Sequence, residues 1–258
     1  MTGLFSKFIK EHLHQYVHPI VCAKTHKLAF FEVLSRVTYN GVTYAPREFL
    51  ADITDIQRYQ MTKLVISNII NLQKRYPSLS FSINLTTGDI VEGIDKILED
   101  LAINANSMLD PKRTIIEIVE TALLTAPAKE KIVNLKKYGY RFAIDDFGAG
   151  YSTINQLNKA NQLFEFVKVD GELLKDVEEN PDARSTLHML IHIIKKYDKK
   201  VILEFVETKE IMDISIQASA DYLQGFLFGT PAPIESYLER IDLNCSIVPI
   251  KEKNELNY

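Results

Sequence analysis

YRFAIDDFGAG, residues 140–150, runs an apolar strand straight into two adjacent aspartates, Asp145 and Asp146, and then into a glycine-containing break. A parallel strand buried on both faces reads as a continuous apolar run, so carboxylates at its carboxyl end need something to compensate their burial. The same arrangement recurs outward along the chain. Strand candidates at Leu28 to Leu34, Leu79 to Leu85, Thr114 to Glu120, Phe164 to Asp170, Val201 to Val206 and Tyr222 to Phe228 carry, near their ends, Glu32, Asn84, Glu117 with Glu120, Lys168 with Asp170, Glu204 with Glu207, and Gln224. An earlier strand fits Val17 to Ala23.

Between these runs lie helix signals. Thr54 or Asp55 opens a helix that Pro77 closes, Thr125 with Pro127 opens one that Gly139 ends, and Asp182 to Tyr197 and Thr208 to Ser219 fit two more. Beyond residue 79 the strand starts recur at intervals of about 20 to 40 residues, the size of βα units, with no serine-, glycine- or proline-rich linker between them. The economical reading is α/β, a single-domain TIM-type (β/α)8 barrel over residues 18–240, preceded by a helical segment over 1–17 and followed by a tail over 241–258. Periodicity alone also permits an open doubly wound sheet.

Composition bounds the function. The 258 residues are 46% hydrophobic and 25% charged, as in an ordinary globular domain, and 34 Asp and Glu against 30 Lys and Arg give a net charge of −4. That balance argues against a grip on polymeric nucleic acid or anionic lipid by bulk charge. No run reaches the ~18 apolar residues of a membrane span. Cys22 and Cys245 form no disulfide framework, and the expected setting is the cytoplasm.

One acidic strand end is more often a solvated edge or a helix cap than a ligand. Seven in succession are different, because the carboxyl ends of barrel strands converge on one mouth. Glu32, Asn84, Glu117, Asp145, Asp146 and Glu204 would form an oxygen-rich cluster there, and its carboxylates could not all stay ionised without a cation among them. Oxygen donors without thiolate or imidazole favour Mg²⁺ or Mn²⁺, with Ca²⁺ as a non-catalytic, inhibitory occupant. Asp145 and Asp146 would suit a bridging and a terminal ligand of a two-metal site of the kind used in phosphodiester cleavage, provided the strand breaks between them. Lys168 would hold a water or a phosphate oxygen. His188 and His192 lie four apart on a helix but lack the zinc-protease glutamate, and His12, His14 and His18 suggest no site.

In order and residue type, these segments resemble the EAL family of cyclic di-GMP phosphodiesterases, from about His18 to Pro233. The matching runs are Glu32-Val33-Leu34 with Arg36, Ile83-Asn84-Leu85, Glu117-Ile118-Val119-Glu120, Asp145 to Ser152, Lys168-Val169-Asp170, Glu204 to Thr208, and Gln224-Gly225-Phe226. The resemblance implies two divalent cations held by Glu32, Asn84, Glu117, Asp145 and Asp146, with Glu204 completing the second site or positioning water and Lys168 orienting the nucleophile. It further implies that Arg36 contacts substrate phosphate, that Asp170 and Gln224 belong to the substrate site, and that Glu120 braces the loop after Asp146 and links it to a homodimer interface. The implied reaction is hydrolysis of cyclic di-GMP to linear 5'-pGpG by a metal-activated water. The alternatives are a catalytically silent receptor or interaction module of the same fold, which loss of metal ligands would mark, and an unrelated two-metal hydrolase.

Four positions depart from the family pattern. Val33 replaces a central alanine, Ala149 stands where threonine is frequent, and Leu203 and Phe205 flank Glu204 where alanine and glycine are usual. Strand alternation predicts that Phe205 points away from Glu204 and packs between barrel and helices.

Overall fold

The computed structural model of the protein describes residues 8–49, 53–98, 109–119, 124–148, 157–158 and 162–238. Among these residues there are nine strands, β1 (Leu13–Cys22), β2 (Leu28–Tyr39), β3 (Val42–Tyr44), β4 (Phe81–Thr86), β5 (Thr114–Val119), β6 (Arg141–Phe147), β7 (Phe166–Val169), β8 (Lys200–Leu203) and β9 (Tyr222–Gln224). Eight of them close a barrel in the order β1-β9-β8-β7-β6-β5-β4-β2, with β2 pairing back to β1, while β3 extends β2 as an outlying hairpin strand. Closure excludes the open doubly wound alternative.

The barrel differs from an all-parallel one in a single strand. β1 runs antiparallel to both β2 and β9, because only residues 23–27 separate it from β2 and a connection that short can only reverse the chain. The strand begins at Leu13, inside the stretch 1–17 expected to be helical; of the described residues there, only 8–12 are helical. The tail over 241–258 lies outside the described residues.

Among the described residues, five helices of six residues or more position the strands: α1 (Asp55–Arg75), α2 (Thr87–Glu92), α3 (Ala126–Lys137), α4 (Pro181–Lys196) and α5 (Lys209–Gln217). Their starts are local chemistry. Thr54 and Gln57 form a reciprocal capping box at α1, Thr125 accepts from Ala128 N at α3, and Thr208 accepts from Ile211 N at α5. Asn180 caps α4, so that helix starts before the expected Asp182. The short α2, begun by a Thr86/Asp89 box, has too few residues for periodicity to reveal.

Period-two alternation then sorts the strand residues into two cores. Phe31, Phe81, Ile116, Phe142, Val167 and Val201 point outward into the large core under the helices. Ile20, Phe30, Ile115, Ala143, Phe166 and Ile202 point inward and form a compact apolar plug inside the barrel. Below it, Glu165 accepts from Arg141 at 2.8 and 2.9 Å and from Lys200 at 2.9 Å, and Arg141 lies 4.7 Å over the Phe166 ring. The hydrogen bonds from Arg141 lead in holding the Glu165 carboxyl at about 2.

Above the plug the strands end early. β8 stops at Leu203 and β9 at Gln224, short of the expected Val206 and Phe228. Val206 N instead bonds Gln224 O at 3.0 Å and Leu227 N bonds Val206 O at 3.1 Å, so the two segments leave the ladder together. Gly225 makes this possible: a Cβ there would fall 2.2 Å from Val206 O and 2.3 Å from Val206 N. Gly225→Ala is therefore expected to cost about 3 kcal/mol, since the opposing atoms are backbone and cannot rotate away. Thermal denaturation should show the midpoint falling by roughly 6 to 12 °C; an unchanged midpoint would mean the segments are not packed this way.

Candidate metal centre and active site

One step along each strand from the apolar plug, the inward residues turn polar. Phe30 gives way to Glu32, Ile115 to Glu117, Ala143 to Asp145, Phe166 to Lys168, Ile202 to Glu204 and Tyr222 to Gln224, while on β4 the buried Ser82 already precedes Asn84. On antiparallel β1 the same step runs backward, from Ile20 to His18, and His18 pairs with Glu32 in register. The barrel thus brings together seven of the residues singled out from sequence and adds His18, which was not. Its only sequence signal was a polar residue within a short apolar strand.

Lys168, 1% exposed, is the hub. Its Nζ lies 2.8 Å from Glu117 Oε2, 2.9 Å from Asp145 Oδ1, 2.9 Å from Glu204 Oε1 and 3.5 Å from Glu32 Oε1. Burial works against the ammonium, but the four carboxylates outweigh it and raise the Lys168 pKa well above its ordinary value. One cation does not serve all four equally. Burial, with Glu32 and Asp145 adding to it, raises Glu117 well above the carboxylate range, and burial pushes Glu204 up to about 8.

Glu32 goes the other way. Its burial is overcome by Lys168 and by hydrogen bonds from Gln224 Nε2 at 2.7 Å and Asn84 Nδ2 at 2.6 Å, which hold it below the usual range as an ionised carboxylate. Gln224 Nε2 also lies 3.0 Å from His18 Nδ1, and burial lowers the His18 pKa, so a neutral ring accepts there. Gln224 is buried and holds Glu32 in place.

The donor set fits divalent cations. With Asn84 Nδ2 committed to Glu32, Asn84 Oδ1 is buried without a hydrogen-bond partner, and so is Glu117 Oε1. Carboxylate oxygens of Asp145, Asp146 and Glu204 lie within 4.8 Å of one another. All the donors are oxygens, and orphaned buried acceptors beside surplus negative charge are what a hard cation would satisfy.

Asp145 and Asp146 reach this mouth together through a break in β6. The β6–β7 register shifts between Ile144 and Phe147, and Asp146 itself takes φ +52°. The break therefore falls on the second aspartate, ahead of the glycines, and the bulge turns consecutive side chains toward one region.

The remaining expected residues lie farther out. Arg36 sits four residues beyond Glu32 on the same face of β2; its Nη1 donates to Ser35 O at 2.8 Å and its guanidinium lies 5.9 Å over the Tyr16 ring. Asp170 Oδ1 accepts from Glu172 N at 2.7 Å, capping the turn Gly171–Leu174. Glu120 lies outside the described residues. Phe205 departs from expectation: β8 has already ended, so alternation no longer applies, and with φ +58° the ring is 62% exposed at the mouth instead of packing under helices. Phe226, 52% exposed, stands on the adjoining segment with its ring 6.3 Å from His18.

Among the described residues no helix is long and apolar enough to cross a membrane. Comparison with known proteins follows the same barrel. The chain is 27% identical over 212 residues to a probable cyclic di-GMP phosphodiesterase, PdeA, of Escherichia coli, matching 79% of this chain and 28% of that protein. It is 30% identical over 133 residues to the cyclic di-GMP phosphodiesterase RocR of Pseudomonas aeruginosa, matching 51% of this chain and 33% of that one. The chain thus spans about a third or less of these relatives.

Among solved structures, an EAL domain protein from Listeria monocytogenes superposes with a TM-score of 0.79 at 26% identity, covering 92% of this chain and 96% of that one. BlrP1 of Klebsiella pneumoniae, in a complex with calcium and cyclic di-GMP, superposes with a TM-score of 0.73 at 27% identity, covering 85% of this chain and 56% of that one. The EAL domain family model matches residues 4–231, and the chain belongs to that family.

Proposed function

We propose that this chain is a metal-dependent phosphodiesterase that hydrolyses cyclic di-GMP to linear 5'-pGpG. The observation that carries the reading is the ring of Glu32, Glu117, Asp145 and Glu204 around Lys168, with Asn84 Oδ1 and Glu117 Oε1 left as unpartnered acceptors. Relatives named as cyclic di-GMP phosphodiesterases support the substrate. Glu32, Asn84, Glu117, Asp145 and Asp146 would hold Mg²⁺ or Mn²⁺, with Glu204 beside them. Divalent cations at such a site polarise the phosphodiester and make a water a usable nucleophile near neutral pH.

The chain's own residues do the rest. Asn84 and Gln224 hold the Glu32 carboxylate in one orientation, and Lys168 supplies a buried N–H donor for a water or a non-bridging phosphate oxygen. The water oxygen bonds to phosphorus and gives up one proton as one P–O3' bond breaks, and the departing 3' oxygen takes one proton up. Arg36, farther along β2, is suited to the second phosphate. We extend the proposal to a homodimer acting in the cytoplasm, with Glu120 bracing the loop after Asp146. Every matched metal ligand is present, so the mark of a silent receptor is missing.

Purified protein with Mn²⁺ or Mg²⁺ should convert cyclic di-GMP to a product that co-elutes with pGpG, and a chelator should stop the reaction. Tight binding with no product in either metal would replace this reading with that of a receptor.

A further inference from the structure

We propose that Phe205 is a specificity-determining residue of this site, a stacking platform for one purine base of the bound dinucleotide; the inference rests on the function proposed above. Three observations support it. Phe205 directly follows Glu204, whose carboxylate is in the Lys168 cluster, so the ring stands at the rim of the phosphate-handling centre. It is 62% exposed, although a large aromatic ring gains by burial. Its backbone holds φ +58°, a conformation in which a bulky side chain is an outlier and which persists where the surroundings impose it, often at ligand clamps.

The surroundings here are specific. A Cβ on Gly171 would fall 2.2 Å from Phe205 Cγ and Cδ2, so the ring is seated directly on a residue that has no side chain to push it away. Glycine is usual at position 205 in the family the chain resembles, and there the backbone conformation would be free of strain. In this chain the same backbone carries a ring that has neither a hydrogen-bonding group nor an apolar niche of its own. What such a ring can recognise is a flat, weakly hydrated surface, and a nucleotide whose phosphates are held beside Glu204 brings its purines to the rim.

Steady-state kinetics on cyclic di-GMP with Mn²⁺ test this. Phe205→Ala should raise KM about tenfold, the usual order for loss of one base–aromatic stack, with kcat little changed because stacking is equal in ground and transition states. Phe205→Trp should keep the wild-type KM, whereas a merely structural role would have Trp behave like Ala and lower the thermal midpoint in both. An unchanged KM in Phe205→Ala overturns the proposal while leaving the hydrolase reading intact. If wild-type protein binds cyclic di-GMP with Mn²⁺ and with Mg²⁺ but turns it over with neither, the hydrolase reading fails and the same tenfold comparison is read from Kd. No binding of cyclic di-GMP in either metal overturns both.

Discussion

Lys168→Met should lower the thermal midpoint of the metal-free protein by about 10 °C near pH 7.5. The variant keeps the length of the side chain and its packing but removes the ammonium that lies within 3.5 Å of Glu32, Glu117, Asp145 and Glu204. Breaking a buried ion pair from one side costs about 3 to 5 kcal/mol, because the partner is left charged and desolvated. At roughly 2 to 4 °C per kcal/mol for a chain of this size, that is the expected shift. Wild-type Lys168 has a raised folded-state pKa, so its contribution is fully present at neutral pH and would be lost only in strong alkali.

In the variant, the carboxylates must find protons instead. Glu117 and Glu204, already raised by burial, would rise further above their unfolded values, so the penalty is greatest at high pH and shrinks as pH falls through the raised values. Melting curves at pH 8 and pH 5.5 should therefore differ more from wild type at the higher pH. Added Mn²⁺ should restore much of the midpoint, because a divalent cation replaces the lost charge. Equal midpoints in variant and wild type at both pH values would show that the cluster is already protonated in the folded protein and that no cation holds it. Turnover should fall about 10²- to 10³-fold, the usual loss on removing a preorganised charged donor.

Asp145→Ala should lower turnover strongly as well but affect stability differently. Asp145 Oδ1 lies 2.9 Å from Lys168 Nζ, and Asp145 shares the 4.8 Å group with Asp146 and Glu204. Taking away one carboxylate from a site with four acids around one lysine relieves repulsion, so the metal-free midpoint should hold or rise. The cost appears when metal is required. Loss of an outer-shell partner of a metal ligand typically costs about 10- to 100-fold, and loss of a ligand shared by the site should exceed that. Titration with Mn²⁺, followed by calorimetry, should show a weaker or missing site, and product formation should fall more than about 100-fold. Turnover within tenfold of wild type would remove Asp145 from the metal centre.

Much of this centre was legible in the chain because a parallel barrel imposes a simple rule. Buried strands should be apolar, so Glu32, Asn84, Glu117, Asp145, Lys168, Glu204 and Gln224 stood out as exceptions at matching places, and closure of the barrel makes those places neighbours. His18 was not legible. It lies on β1, whose antiparallel direction brings the earlier residue of the strand to the mouth, and that direction is set by the short turn to β2 and by pairing with β9. Arg36 and Asp170 belong to the family pattern, yet one lies over Tyr16 because β2 continues past the mouth, and the other caps a turn because β7 has ended at Val169.

The sequence by itself determined the alternation of strands and helices, the helix caps at Thr54, Thr125 and Thr208, and the oxygen-rich character of one barrel end, since each depends on period and local hydrogen bonding. Tertiary structure alone decided where strands stop and what lies beyond them. Whether the carboxylate pKa of Glu32 falls while that of Glu204 rises depends on which donors surround each, and those come from strands far apart in the chain. Likewise, alternation would bury Phe205, but the ladder ends at Leu203 once Gly225 lets Val206 pair outside it, and the ring turns out to the rim, seated on Gly171.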